Sequence, residues 1–150
     1  MTHVAYPYNQ IKARQYFFVS VGRRRIAKVA EFLPLGRSNT FNLAFGDLQP
    51  DGSIDDKSVS NNGDIRKVLT TVIEILRQFT ESEPDAMIYI EGSTVERTRL
   101  YTRIMKTYYP LFSLEFSIVG IIIRENKKEP VLFEGKSDVE YFAFLIKRIN

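Results

Sequence analysis

Residues 64–97 read DIRKVLTTVIEILRQFTESEPDAMIYIEGSTVER, and this stretch decides the fold class. Its first part predicts a helix from about Asp64 to Thr80, because apolar residues recur there at helical spacing. Ala86 to Glu91 is short and apolar, which is typical of a buried strand, and a second helical pattern starts after Gly92. The apolar stripe of the first helix is Ile65, Val68, Leu69, Val72, Ile73, Leu76 and Phe79.

Local signals also mark where the two helices begin. Asn61 or Asn62 is expected to cap the first helix, and Asp64 in its first turn suits the positive end of the helix dipole. Ser93 and Glu96 have the spacing of a capping box at the start of the second helix. We therefore expect both helices to follow polar loops.

Strands are predicted on both sides of this helical region. The second helix is expected to end near Pro110, and the last strand also fits a helical period of about 3.6 residues, which is the alternative for the tail. These strands cover Gln15 to Ser20, Ile26 to Leu33, Thr40 to Leu48, Leu114 to Arg124, Pro130 to Phe133 and Val139 to Arg148. The sequence predicts an α+β fold with a mostly antiparallel sheet of about six to seven strands, in the order β-β-β-α-β-α-β-β-β, and two helices packed on it.

Length and composition limit the classes of protein. At 150 residues with 44% hydrophobic residues, we expect one globular domain over residues 1–150. The absence of cysteine excludes disulfides, thiolate metal sites and a cysteine nucleophile, and His3 is the single histidine. We expect no cofactor, no membrane partner and a cytoplasmic location, since the amino terminus lacks the pattern of a signal peptide.

Charge is distributed unevenly along the chain. Residues 1–37 carry seven Lys or Arg and one acid, whereas residues 47–96 carry eleven acids and four bases. Residues 97–150 are basic again, with ten bases and six acids. Such asymmetry is compatible with a nucleic-acid surface, with complementary surfaces in an oligomer, or with ordinary solvated charge.

Two segments hold more polar groups than a fold requires. The first runs from Phe45-Gly46-Asp47 to Ser60-Asn61-Asn62-Gly63-Asp64, and the second is residues 92–101, GSTVERTRLY. In the second, a strand, a Gly-Ser-Thr turn and a helix start would place backbone N–H groups and the hydroxyls of Ser93 and Thr94 at the positive end of a helix dipole. Anions bind at such places.

Arg97 falls on the inward side of the second helix, together with Leu100, Tyr101, Ile104 and Tyr108. A buried guanidinium needs a partner, which would be either a bound phosphate or a carboxylate of this protein. Both interpretations stay open from the sequence. Arg99 and Arg103 fall on the opposite side, where they would be solvated or would extend a phosphate-binding surface.

The acidic segment also has two interpretations. The carboxylates of Asp47, Asp55 and Asp56 could converge on a hard cation such as Mg²⁺, as in metal-assisted phosphodiester cleavage. Asp and Asn are equally the usual residues of turns and caps, and no EF-hand spacing is present. These three residues are therefore metal candidates beside a purely structural role.

These polar segments are similar to the pattern of an uncharacterised bacterial family, numbered 6934 among the domains of unknown function. The resemblance spans most of the chain, from Tyr16-Phe17-Phe18 to the Tyr141–Lys147 run. It includes Asn42 to Asp47, Ser60 to Asp64, Gly92-Ser93-Thr94, and Arg97-Thr98-Arg99-Leu100-Tyr101. The resemblance implies small stand-alone proteins of the Bacteroidota and brings no established activity, although a toxin–antitoxin role is compatible with it.

We expect a binding protein more than an enzyme. Its ligand would carry phosphate, as a nucleotide or a nucleic acid, in one pocket formed by both helix starts. One alternative is a metal-dependent phosphodiesterase or nuclease that uses the three aspartates. Another is a protein–protein module, either a homodimer or a toxin–antitoxin component. The predicted ligand-binding residues are Asn61, Asn62, Asp64, Ser93, Thr94, Arg97 and Arg99.

Overall fold

The computed structural model of the protein describes residues 4–36, 38–55, 62–133 and 138–149. The chain divides into two compact units. The first comprises Met1–Leu33 and Leu43–Glu83, and the second comprises Pro34–Asn42 and Pro84–Asn150. The prediction of a single domain stays a prediction.

The fold is α+β, as predicted, with a mostly antiparallel sheet and two helices. The described residues form nine strands, more than the six or seven expected. The strands are β1 (Tyr8–Lys12), β2 (Gln15–Val21), β3 (Arg25–Pro34), β4 (Thr40–Leu48), β5 (Ile54–Asp55), β6 (Met87–Ile90), β7 (Phe116–Arg124), β8 (Lys127–Leu132) and β9 (Ala143–Arg148). The helices are α1 (Ile65–Ser82) and α2 (Val95–Phe112).

In the first unit, the strand order is β1-β2-β3-β4, with the short strand β5 paired to β4. Buried side chains alternate with half-buried ones along β2, as expected for a strand with one face on a core. Helix α1 covers that core, and its Phe79 ring stacks on Phe32 of β3 with centroids 3.9 Å apart. These contacts fix α1 on the sheet of this unit.

In the second unit, the order is β4-β6-β9-β7-β8. β4 and β6 pair in parallel, while β9 pairs antiparallel with both β6 and β7. Phe133, Phe144 and Ile146 are almost fully buried there. Edge strand β8 carries lysines and Pro130, which discourage pairing with another chain.

The structure corrects several details of the sequence prediction. Strands β1 and β5 were not predicted, and the tail forms strand β9, so the helical alternative is wrong. α2 continues through Pro110 to Phe112. The buried face of α1 includes Thr70, Thr71 and Ile75, whereas Ile65 is exposed. The threonines can be buried because their hydroxyls donate to carbonyls one turn earlier, and Thr71 Oγ1 also accepts from the N–H of Tyr6.

Neither helix offers a stretch that is both long and apolar enough to cross a membrane, within the part of the chain that the structure describes.

Candidate functional site

The residues before α1 join it to the β2–β3 hairpin. Asn62 is only 5% exposed, and its Nδ2 donates to Ser20 Oγ at 3.0 Å and to the carbonyl oxygen of Arg24 at 2.7 Å. Its Oδ1 accepts from the N–H of Arg24 at 2.8 Å, while its carbonyl oxygen accepts from the N–H of Arg23 at 2.9 Å. The side chain of Asn62 therefore satisfies backbone groups of the hairpin turn.

The hairpin and the loop before α1 are in close contact at Gly22. A Cβ atom on Gly22 would lie 1.8 Å from the carbonyl oxygen of Asn62, a separation that no side chain tolerates. Glycine is needed here for the close approach of two backbones. The Asn62 hydrogen bonds and this backbone contact therefore join the same two segments, the β2–β3 turn and the loop before α1.

Asp64 also contacts β2 and the amino-terminal segment. Its Oδ2 accepts from Tyr6 Oη and from Ser20 Oγ, each at 2.5 Å, and Tyr6 Oη accepts from the N–H of Val21 at 3.0 Å. Burial and the hydrogen bond to Asp64 raise the pKa of Tyr6 above its ordinary value. The polar side chains before α1 form one hydrogen-bonded network within the first unit.

The sequence predicted the wrong N-cap residue for α1. Asp64 is the N-cap residue and makes no side-chain cap hydrogen bond, because its carboxylate accepts from Tyr6 and Ser20 instead. Asn62 lies two residues earlier and bonds to the hairpin. Asn61 lies outside the described residues.

Asp47, one of the aspartates considered as metal ligands, has a protein partner. The buried Lys28 Nζ donates to Asp47 Oδ1 and also lies 5.9 Å from the centroid of the Phe45 ring. Asp55 lies opposite Asp47 in the β4–β5 register, and Asp56 lies outside the described residues. Within those residues, no group of three or more His, Cys, Asp or Glu is placed to hold a metal ion.

The start of α2 is organised differently. Thr94 is the N-cap residue, with an extended backbone, and its Oγ1 accepts from the N–H of Arg97 at 3.2 Å. The predicted cap, Ser93, is one residue too early and is exposed. By helix geometry, the N–H groups of Val95 and Glu96 have no carbonyl acceptor within α2.

Gly92 brings the end of β6 against the first turn of α2. A Cβ atom on Gly92 would lie 2.4 Å from the nitrogen of Thr98 and 2.5 Å from its Oγ1. Thr98 Oγ1 accepts from the N–H of Gly92 at 3.1 Å and is itself buried. The strand-to-helix turn is therefore tight because residue 92 has no side chain.

A cavity of about 450 Å³ borders this turn. It is bordered by the start of α2, by apolar and aromatic side chains, and by one carboxylate in each of the segments before α2 and before β9. The volume lies within the range of about 300–1,000 Å³ that is usual for small-molecule sites. The lining residues are Glu91, Gly92, Ser93, Thr94, Val95, Thr98, Ile123, Glu140, Tyr141 and Phe142.

Arg99 does not line this cavity but contacts a residue that does, Glu140. Arg99 Nε donates to Glu140 Oε1 at 3.0 Å, and both side chains are largely exposed. Arg97 belongs to the first turn of α2 and is half-buried, and it does not line the cavity. The most buried side chains of α2 are instead Thr98, Thr102 and Phe112.

Glu91 is held at the cavity by a tyrosine of the preceding strand. Tyr89 Oη donates to Glu91 Oε1 at 2.7 Å. Burial, and then the hydrogen bond to Glu91, raise the pKa of Tyr89 well above its ordinary value. Tyr89 therefore keeps its proton to a higher pH than an ordinary tyrosine and donates it in the hydrogen bond to Glu91 Oε1.

Sequence reasoning missed Glu91, Glu140, Tyr141 and Phe142 as lining residues. The Tyr141 ring occupies the space above Gly120 of β7, where a Cβ would lie 2.2 Å from the ring. The pairing of β9 with β6, in which Phe144 lies opposite Ile90, brings residues 140–142 near the start of α2, and that pairing cannot be read from local spacing. The glycine within the apolar run of β7 was a usable signal, because glycine in a strand often marks a close approach.

The predicted site residues thus fall into two groups. Asn62 and Asp64 lie together in the first unit, whereas Ser93, Thr94, Arg97 and Arg99 lie together in the second. Each group has its own contacts. The prediction that both groups form one pocket stays a prediction.

Comparison with known proteins agrees with the resemblance seen in the motifs. A search of curated proteins and a search of solved structures found no match. The model of one family, described as a family of unknown function (DUF6934), matches residues 2–149, which is nearly the whole chain. The protein therefore belongs to this family of unknown function, DUF6934.

Proposed function

We propose that the cavity at the start of α2 binds a small phosphate-bearing ligand of nucleotide size. The observation that carries the proposal is the position of the cavity, which is lined by Gly92, Ser93, Thr94 and Val95 directly before and within the first turn of a helix of 18 residues. Helix N–H groups and the helix dipole stabilise a phosphate at such a position.

The remaining lining fits the other parts of a nucleotide. Ile123 and Phe142 provide apolar surface for a base, and Lys128 Nζ lies 4.8 Å from the centroid of the Phe142 ring. Glu91 and Glu140 are acceptors for the hydroxyls of a sugar, a role that carboxylates have in dinucleotide-binding sites. The ligand would place its phosphate at α2 and its sugar between the two carboxylates.

The charges around the cavity favour a ligand with few negative charges. Glu91, Glu96 and Glu140 stand against Arg97, Arg99 and Lys128, which leaves this cluster with no net charge. Like charges at short distance repel, and no excess of positive charge offsets the carboxylates, so each further phosphate should weaken binding. We therefore propose a monophosphate or a phosphodiester as the ligand, with Arg97 and Arg99 supplying the positive charge.

Calorimetric titration at low salt tests the proposal with adenosine, adenosine monophosphate and adenosine triphosphate. We expect the monophosphate to bind most tightly of the three. Arg99→Gln should weaken its binding by about tenfold, since a hydrogen bond to a charged group contributes roughly 1.5–3 kcal/mol. Arg103→Gln, which removes an exposed arginine one turn further along α2, should leave the affinity unchanged. Equal affinity for adenosine and its monophosphate would contradict recognition of phosphate.

The two alternatives from the sequence stay predictions. A metal-dependent phosphodiesterase would have to release Asp47 from Lys28 before that carboxylate could hold Mg²⁺. No contact among the described residues favours a protein–protein module or a toxin–antitoxin component over the cavity.

A further inference from the structure

A cluster of basic side chains lies where the β2–β3 turn meets the first turn of α1. Arg23, Arg24 and Arg25 are consecutive at the β2–β3 turn, and all three are exposed. Arg66 is exposed in the first turn of α1, and Lys67 follows it. We call these five residues the hairpin cluster. All five belong to the first unit.

The hydrogen bonds of Asn62 bring the two segments of the hairpin cluster together. Asn62 accepts from the N–H of Arg23 through its carbonyl oxygen and bonds to both backbone groups of Arg24 through its side chain. The Arg23 side chain reaches the loop before α1, because a Cβ on Gly63 would lie 3.8 Å from Arg23 Nε. The cluster is thus a fixed surface rather than two separate runs of charge.

The one acid within these segments, Asp64, already accepts hydrogen bonds from two side chains. These are Tyr6 and Ser20, and Ser20 is fully buried. Lys67 is held on the same side of the molecule as Tyr6, with its Nζ 4.4 Å from the centroid of that ring. Residues 20–25 and 62–67 together carry five bases and one acid, a net charge of +4.

We propose that the hairpin cluster binds the backbone of a single-stranded nucleic acid. A chain of phosphates is the common partner of several adjacent exposed arginines, since each guanidinium can bond to two phosphate oxygens. Val21 and Ile65 border the cluster and are 50% and 47% exposed. Their apolar side chains can cover unstacked bases, which a duplex keeps in its interior. This surface is separate from the α2 cavity and does not rest on the nucleotide proposal.

Fluorescence anisotropy tests the proposal with a labelled, mixed-sequence RNA of about 16 nucleotides, a length near the upper site size of single-strand-binding folds. If all five bases contact phosphates, the logarithm of the affinity should fall with the logarithm of salt concentration with a slope of about −3.5. The triple variant R23Q/R25Q/R66Q should reduce that slope by about two and weaken binding by at least tenfold at low salt.

The matched control removes three exposed bases from other places. K12Q/R103Q/K127Q changes the net charge by the same amount and should leave the affinity and the salt slope nearly unchanged. Equal losses in both triple variants would overturn the proposal, because binding would then follow net charge alone. Tighter binding to a duplex DNA of the same length would also overturn it.

A cross-check separates this proposal from the nucleotide site. R23Q/R25Q/R66Q should bind adenosine monophosphate as the wild type does, and Arg99→Gln should bind the RNA as the wild type does. If the RNA loses affinity only in Arg99→Gln, the surface proposed at the hairpin cluster is wrong, while the cavity at α2 keeps its phosphate ligand.

Discussion

The starts of α1 and α2 have similar types of residue and different surroundings. Both follow a polar loop with glycine, Asn-Gly-Asp before α1 and Gly-Ser-Thr before α2. Before α1, the buried Asn62 and the Asp64 carboxylate bond to the hairpin and to Tyr6. Before α2, Ser93 is exposed and Thr94 is half-buried, and both line a cavity. The same local pattern can therefore fasten a helix in one place and border a ligand-sized space in another.

The comparison of the two helix starts predicts the largest loss of stability for a substitution at Asn62. Asn62→Ala removes three side-chain hydrogen bonds in a buried position and leaves both backbone groups of Arg24 without this partner. We expect the free energy of unfolding in urea to fall by about 3 kcal/mol. Asn9→Ala, at an exposed position of β1, is the control and should change it by less than about 0.5 kcal/mol. Similar small losses of unfolding free energy in both variants would contradict a structural role for Asn62.

The next effect concerns the tight turn before α2. Gly92→Ala forces a methyl group against the backbone nitrogen of Thr98, which should cost about 2 kcal/mol of unfolding free energy. The same variant should abolish ligand binding, because the turn can move only by opening the wall of the cavity. Ser93→Ala, at the neighbouring exposed residue, should unfold like the wild type. A stable Gly92→Ala protein with unchanged binding would contradict this account of the turn.

A smaller effect distinguishes the observed cap of α2 from the predicted one. Thr94→Ala should lower the free energy of unfolding by about 1 kcal/mol, because the N–H of Arg97 loses its acceptor. Thr94→Ser keeps a hydroxyl and should retain most of that stability. Chemical denaturation of both variants beside Ser93→Ala is the measurement. A greater loss in Ser93→Ala than in Thr94→Ala would restore the capping box that the sequence predicted.

The smallest predicted effect concerns the loss of stability at alkaline pH, to which one tyrosine in each region contributes. Tyr6 and Tyr89 have raised pKa values, so folding favours their protonated forms. The stability that they contribute is complete below the ordinary tyrosine pKa of about 10 and is lost as the pH rises through the higher folded values. Unfolding measured between neutral pH and about pH 11 should show a steep decline above pH 10 that is shallower in Tyr6→Phe and in Tyr89→Phe. An unchanged slope in both variants would contradict these shifts.

The sequence predicted the fold better than the site. The bounds of β4 match the prediction completely, and those of β2, β3 and β6 match within one or two residues, since each strand ends at a turn signal or an apolar limit. β1 and β5 were missed because β1 is polar and mostly exposed, and β5 has only two residues. Local spacing carries too little information for such strands.

For the candidate site, residue types were predictable and partners were not. Gly92-Ser93-Thr94 was identified correctly as a helix start beside polar groups, because a strand, a small-residue turn and a helix have local signals. The lining residues Glu140, Tyr141 and Phe142 come near this helix start because β9 pairs with β6, where Phe144 lies opposite Ile90, more than fifty positions earlier in the chain. Likewise, the partners of Asn62 lie some forty residues earlier in the chain, so its role could be read only from the structure.

The most direct test of the difference between the two helix starts is a nuclear magnetic resonance titration of adenosine monophosphate into ¹⁵N-labelled protein. The account predicts that the amide signals of Gly92 to Thr98 and of Tyr141 and Phe142 shift together with a single Kd, while those of Asn62 to Asp64 stay unchanged. Shifts confined to Asn62 to Asp64, with those of Gly92 to Thr98 unmoved, would contradict it.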